Sequence, residues 1–227
     1  MTLWSVANVS VLGRDHAALR RNRQDASASG CAGQGVYGVV SDGCGQGRAS
    51  EVGAHATVAI ASAAIERSLR DGGPLEGLGE RVLATVIDGL RLVAEAVPAG
   101  ALRDAFVRDQ LLATLVGFVV RDDVACVFAV GDGAFFVDGD IEVLDEDNRP
   151  SYPAYALAGA KVRVVERTYR GAALVVVATD GVDERVLRRA AAVDAQASRL
   201  SRALLLLQRA GALSDDGSVA LARKVAP

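Results

Sequence analysis

Histidine and cysteine are scarce in this chain of 227 residues: two histidines, His16 and His55, and three cysteines, Cys31, Cys44 and Cys126. The cysteines are odd in number, widely spaced and form no CxxC pair. Neither a disulfide framework nor a zinc site of thiolates and imidazoles is expected, and a reducing compartment fits. There is no excess of basic residues. The net charge is −3, which argues against nucleic acid as the main partner, because nonspecific affinity rests on a basic surface. Lysine occurs only at Lys161 and Lys224, a bias that goes with the abundance of alanine and arginine and carries no functional reading. Long apolar runs are missing as well. Leu174–Ala178 and Ala203–Leu207 fall far short of the ~20 residues of a membrane span, so no membrane association is expected. The opening MTLWSVANVSVLGRD has no basic region ahead of an apolar block. No secretory signal is therefore expected, and the expected location is cytoplasmic. No Gly-Lys-Ser/Thr is present to build a P-loop.

What the chain does have is apolar substance: 51% hydrophobic residues and a mean hydropathy of +0.24, enough for a compact core. Its length suits one domain spanning 1–227. The stretch Gln34–Arg48, QGVYGVVSDGCGQGR, organises the rest. An apolar run, Val36–Val40, ends at Asp42 among Gly38, Gly43, Gly45 and Gly47, and a long alanine-rich segment follows. A strand that delivers a carboxylate into a glycine-rich turn sets an oxygen ligand at the lip of a sheet, where bare backbone can approach a metal or a phosphate. An ordinary strand-to-helix turn would look the same, because Asp-Gly is a common turn dipeptide.

Read in order, Leu3–Leu12 has strand character. Gly13–Ala26 is polar, with Arg20, Arg21 and Arg23 ahead of Asp25; it reads as a solvated loop or as an anion clamp beside a carboxylate. Val36–Val40 is the second strand. Helices are expected from Ala49 to about Arg70, ended by Asp71-Gly72-Gly73-Pro74, and from Glu76 to about Val97, ended by Pro98. Short strands then follow at Leu111–Val120, Val124–Val130, Ala134–Val137 and Ile141–Leu144, separated by turn residues. An irregular loop is expected at Asp145–Gly159. Strands at Lys161–Thr168 and Leu174–Ala178, a helical pair ending with Ala195–Ala210, and a last strand Val219–Val225 complete the chain. This order predicts an α+β fold whose two-sheet core carries helices on the outside.

Seven Asp-Gly pairs occur, so no single pair is informative. Asp42, Asp132 and Asp180 differ from the rest because each directly follows a run apolar enough for an interior strand. Asp215 precedes another such run, and Asp25 stands beside the arginines. Five carboxylates converging at one end of a sandwich would repel one another, and hard divalent cations would relieve the repulsion; oxygen ligands without His or Cys indicate Mg²⁺ or Mn²⁺.

These blocks resemble the metal-dependent serine/threonine protein phosphatases of type 2C (the PPM family), in the family's order and over nearly the whole chain. RRNRQDA at Arg20–Ala26 is similar to an arginine followed by a Glu-Asp pair, and VVSDGCGQG at Val39–Gly47 to the DGxGG block. ATLVGFVV and AVGDGAFFV resemble the Thr-rich strand and the Gly-Asp-Ser block. VVVATDGVDE at Val175–Glu184 resembles the Ser-Asp-Gly block, and DDGSVALA at Asp215–Ala222 the terminal Asp-Asn-x-Thr strand. The compact bacterial branch is the best fit.

The resemblance implies a four-layer αββα sandwich of two mainly antiparallel sheets flanked by helix pairs, with two Mg²⁺ or Mn²⁺ ions at one end and room for a third. Carried over by position, Asp42 bridges both metals and the carbonyl of Gly43 binds one of them. Asp180 and Asp215 complete the other site, Asp25 is an outer carboxylate, and Asp132 joins Asp180 in holding a third, weaker metal. Arg20 falls at the phosphate-binding arginine. A metal-activated water would hydrolyse phosphoserine or phosphothreonine in a phosphorylated protein substrate. A cognate Ser/Thr kinase and a monomeric state are expected on the same ground. Three departures stand out. Gln24 replaces Glu beside Asp25, Cys44 stands where some members carry a histidine proposed as general acid, and Gln46 replaces a glycine. The choice of Asp215 over Asp216 as ligand is open by one residue, with Asp215 favoured.

Gln24 and Gln46 motivate the alternative of a catalytically weak or inactive module of the same fold that binds phosphoproteins and regulates signalling. A dinucleotide site is disfavoured, since Arg48 stands where the third glycine of its fingerprint belongs.

Overall fold

In the computed structural model, which describes residues 3–147 and 149–225, ten strands form two five-stranded sheets. The first sheet has the order β1-β10-β9-β6-β7, built from Trp4–Val11, Gly217–Lys224, Leu174–Ala178, Gly133–Val137 and Asp140–Leu144. The second has the order β2-β3-β4-β5-β8, built from Ala26–Ala32, Gly35–Ser41, Leu115–Arg121, Val124–Val130 and Val165–Arg170. Every neighbouring pair is antiparallel.

The strands at the centre explain themselves. β3 (GVYGVVS), β5 (VACVFAV) and β9 (LVVVA) have lost the alternation of a half-exposed sheet because both of their faces are covered. One face meets the opposite sheet, in a layer that includes Val40, Val116, Phe118 and Val127 from one side and Phe135, Val175, Val177 and Ala220 from the other. The outer faces meet helices. α2 (Glu51–Arg70) and α3 (Leu78–Glu95) cover the second sheet through Ala54, Val58, Ile65, Val82, Val86 and Leu90. α5 (Glu184–Ala191) and α6 (Ala197–Arg209) cover the first through Val186, Leu187, Leu200 and Leu204. The four-layer αββα arrangement is therefore present. β8, VERTYR, is the polar edge of the second sheet and has no buried residue, as an edge that resists strand addition should be.

Several local expectations differ from the structure. Gly13–Ala26 is not loop throughout: α1 forms at Arg14–Leu19, too short to stand alone and held by bonds to the far end of the chain. β2, ASASGCA, carries no hydrophobic alternation; it is extended because it pairs with β3 from Ala26↔Ser41 to Ala32↔Gly35. α4 (Ala101–Phe106) continues into a π-helical turn at Val107–Leu111, so β4 starts at Leu115 and not at Leu111. A 3₁₀ turn spans Pro153–Ala158 within the loop expected to be irregular, of which Asn148 lies outside the described residues. The strand expected at Lys161–Thr168 occupies Val165–Arg170, beside β5.

Gly38 lies where the two sheets approach closely. A Cβ there would stand 2.4 Å from Phe118 Cε1 and 2.8 Å from Ala220 Cβ. Gly38→Ala is expected to destabilise by about 1–3 kcal/mol through overpacking. That corresponds to a fall in Tm of roughly 2–12 °C for a chain of this size, readable by calorimetry; an unchanged Tm would show that the layer yields.

Candidate metal centre

At one end of the sandwich, strand ends from both sheets bring carboxylates together. Asp25 directly precedes β2 and Asp42 directly follows β3, so continuing the Ala26↔Ser41 register by one residue sets them opposite each other. From the first sheet, Asp180 follows β9 and Asp215 precedes β10, adjacent antiparallel strands. Thr179 ties the two pairs together. Its hydroxyl donates to Asp25 Oδ2 at 2.7 Å and accepts from the Ser218 N–H at 2.9 Å.

Asp42 is held by the segment ahead of β4. Thr114 Oγ1 accepts the Asp42 N–H at 2.9 Å, and the Thr114 N–H donates to the Asp42 carbonyl at 2.8 Å. The Cys44 N–H donates to the Leu112 carbonyl at 2.9 Å. These bonds frame the bridge between Gly43 and Ala113 and turn the N–H and C=O of Gly43 to the side away from Ala113. The polar groups of Asp42 and Gly43 needed for a ligand are thus free of the ladder.

The electrostatics of the cluster are adverse. Burial pushes the Asp25 carboxyl up from 3.8 to about 7, with Asp216 adding to the rise and the closeness of Asp42 and the hydrogen bond from Thr179 opposing it. Asp42 is raised well above the carboxylate range, first by burial and then by the negative charges of Asp25, Asp180 and Asp215. Burial and the charge of Asp215 raise Asp180. No lysine or arginine figures among the main influences on these three groups. Asp25 Oδ1 is buried without a partner. An all-oxygen set with an orphaned, fully buried carboxylate oxygen fits hard divalent cations well.

Asp132 stands to one side. Its Oδ1 accepts the Glu146 N–H at 2.7 Å, and burial, then the charges of Asp180, Glu146 and Asp145, raise its carboxyl. A cavity of about 250 Å³ holds Asp132 and Asp180 together with Asp145 and Asp183. The last two were not foreseen; Asp183 also caps α5 by accepting the Val186 N–H at 2.7 Å.

The three arginines separate. Arg20 and Arg21 line a depression of about 230 Å³ with Gln24, Arg48 and Glu51. Arg23 spends its guanidinium on the carbonyls of Asp25 and Ser10, at 3.0 and 3.3 Å, and is structural. Gln24 is buried. Its Nε2 donates to Ser50 Oγ at 2.8 Å, and its Oε1 has no partner. Asp215 is the more accessible of the terminal pair, with its side chain 67% exposed against 1% for Asp216. Asp216 points away into hydrogen bonds from Gly13 and Gln24. Thr114 and Thr179 were also overlooked as supports, although each lies inside a block that carries the resemblance.

The family described as protein phosphatase 2C matches residues 12–208. The chain belongs to the protein phosphatase 2C family. No curated protein matches it in sequence. Among solved structures it is similar to the serine/threonine phosphatase Stp1 from Staphylococcus aureus, at 14% identity and a TM-score of 0.70 over 99% of this chain and 96% of that one. It is also similar to PppA of Pseudomonas aeruginosa, described as a key regulatory component of T6SS, at 15% identity and a TM-score of 0.70, covering 98% of both chains. A third likeness is to the catalytic domain of the serine/threonine protein phosphatase PstP in complex with two manganese ions, at 17% identity and a TM-score of 0.66 over 100% of both chains. At these identities the likenesses establish the fold. No helix among the described residues is long and apolar enough to cross a membrane.

Two outcomes are expected of the metal-free protein. Because the folded pKa of Asp25 lies above its unfolded value, its contribution to stability is fully present below about pH 4 and is lost as the pH rises towards 7. In EDTA the Tm should therefore fall between pH 5.5 and 7.5, and Mn²⁺ should restore more stability at pH 7.5 than at 5.5. A metal-free Tm that rises over this interval would contradict the assignment. Removing one buried charge should help the empty site: Asp42→Asn is expected to raise the metal-free Tm by about 2–8 °C while abolishing the Mn²⁺-dependent gain, as calorimetry with and without Mn²⁺ would show.

Proposed function

We propose that this chain is a metal-dependent protein serine/threonine phosphatase, hydrolysing phosphoserine or phosphothreonine in a phosphorylated protein substrate at a binuclear Mg²⁺ or Mn²⁺ centre. One observation carries the reading: Asp25, Asp42, Asp180 and Asp215 come from two sheets close enough for their charges to raise Asp42, and Asp25 Oδ1 is left buried and unpartnered. Asp42, the Gly43 carbonyl, Asp180 and Asp215 would hold the ions, with Asp25 as an outer carboxylate. Asp132, beside Asp180, would serve a third and weaker ion. When bound, the ions supply Lewis acidity: a water acidic enough to attack phosphorus near neutral pH, and compensation of charge on the phosphoryl oxygens.

The chain's own residues do the rest. Thr114 fixes the backbone of Asp42, Thr179 fixes the outer carboxylate, and the guanidinium of Arg20 meets the phosphoryl group from the neighbouring depression. The reading extends to phosphoprotein substrates of an opposing Ser/Thr kinase in the cytoplasm, with the phosphatase acting as a monomer.

Release of phosphate from a phosphothreonine peptide should require Mn²⁺ or Mg²⁺ and vanish in EDTA. Asp180→Asn should lower kcat by on the order of a hundredfold or more, and Arg20→Ala should act mainly on KM, by about tenfold. Gln24, neutral and tied to Ser50 where the family usually has an acid, favours the second reading of a binding module. Binding of several phosphopeptides by the folded, Mn²⁺-loaded protein without any release of phosphate would decide for it.

A further inference from the structure

We propose that Asp216, together with His16, is a positioning residue: it clamps the segment 13–24 and thereby sets Arg20 at the phosphate site. This rests on the phosphatase reading. The carboxylate of Asp216 is buried and both its oxygens are engaged. Oδ1 accepts the N–H of Gly13 at 2.7 Å and Oδ2 accepts the N–H of Gln24 at 2.6 Å, so one side chain closes both ends of a loop from the opposite end of the chain. His16, in the middle of that loop and itself buried, packs against the clamp with Nδ1 2.9 Å from Asp216 Oδ2, a close contact out of line for a hydrogen bond.

The backbone carries the constraint on to Arg20. The carbonyl of His16 accepts the Arg21 N–H at 2.9 Å, and that of Ala17 accepts the Arg20 N–H at 3.2 Å. Arg20 is thereby held in the left-handed region at φ 54, a conformation that an ordinary side chain adopts only when its surroundings impose it. The start of α1 is docked on the same strand approach, with the Arg14 N–H on the Leu213 carbonyl at 3.2 Å and the Asp15 N–H on the Ser214 carbonyl at 2.9 Å. Contact is so close at Gly13 that a Cβ there would lie 2.2 Å from the carbonyl carbon of Asp215.

His16, Asp215 and Asp216 together have the donor atoms of a small cation site. Each Asp216 oxygen already accepts a backbone N–H, and a clamp accounts for that geometry without a further metal. A carboxylate suits this work better than the amide of the family's Asp-Asn-x-Thr strand, because it offers an acceptor oxygen to each end of the loop and no N–H that would oppose either.

The test compares Asp216→Ala, Asp216→Asn and His16→Gln with Arg20→Ala, all in Mn²⁺-loaded protein. Asp216→Ala should lower kcat/KM for a phosphothreonine peptide by about tenfold or more, mainly through KM. Combined with Arg20→Ala it should add little, since both changes remove the same placed guanidinium. Asp216→Asn should recover part of the loss, and His16→Gln should show a smaller effect of the same kind. Mn²⁺ affinity by calorimetry should stay within about threefold of wild type, within the tenfold that one hydrogen bond is worth. Full additivity of the two losses, or a loss of Mn²⁺ affinity that accounts for the whole effect, would overturn the proposal. Amide exchange at Gly13 and Gln24 supplies a readout free of turnover. It should accelerate in Asp216→Ala, and unchanged protection there would refute the clamp even if the wild type hydrolysed nothing, an outcome that by itself would refute only the phosphatase reading.

Discussion

Like charge forced together by the fold is the interaction on which everything else here depends. Two apolar sheets pack through a side-chain layer, and at one end that layer stops at carboxylates in place of valine and phenylalanine. Asp42 is buried among Asp25, Asp180 and Asp215. Folding this end without cations opposes the gain made by the layer behind it, so the site and the core are thermodynamically antagonistic until metal arrives. The helices, the interlocked strands and the long reach from Thr179 to Asp25 are what hold the arrangement against its own repulsion.

The cluster also explains why the supports are neutral. Thr114 and Thr179 steer Asp42 and Asp25 through hydroxyl groups, which fix direction without cancelling the charge that a cation needs. A lysine or arginine at either place would neutralise the carboxylate and compete with the metal. Arg20, Arg21 and Arg48 are kept outside instead, in the depression next to Gln24, where an anion would approach.

Much of this was legible in the sequence where a single residue ends a single apolar run. Asp42 after β3 and Asp180 after β9 are visible that way, because burial on both faces strips a strand of polar residues and makes its end abrupt. Asp215 is visible less sharply, ahead of the apolar run of the last strand, and Asp25 only by its place beside the arginines, since the strand it precedes is not apolar. β2 was illegible for a related reason: ASASGCA takes its extended state from pairing with β3, a property of the partner strand. The roles of His16 and Asp216 lie further out of reach. Their contact spans almost the entire chain, and no spacing rule connects residues that far apart. Asp215 and Asp216, adjacent in sequence, differ in the fold: the side chain of the first is 67% exposed and that of the second 1%.

One edge of the sandwich is joined differently from its middle. Asn8 Nδ2 donates to Ser27 Oγ at 3.0 Å, Ser29 Oγ donates to Asn8 Oδ1 at 2.9 Å, and the hydroxyls of Ser10 and Ser27 stand 2.8 Å apart, so β1 and β2 meet across the two sheets through small polar side chains. Apolar surfaces in contact tolerate sliding and rotation, whereas hydrogen bonds are directional and lose strength within tens of degrees. The serine and asparagine seam therefore acts as an alignment key between the sheets. Carboxylates contributed by separate sheets can share a centre only if the two planes keep one mutual angle, and on this edge that angle is set by a handful of hydroxyl and amide groups.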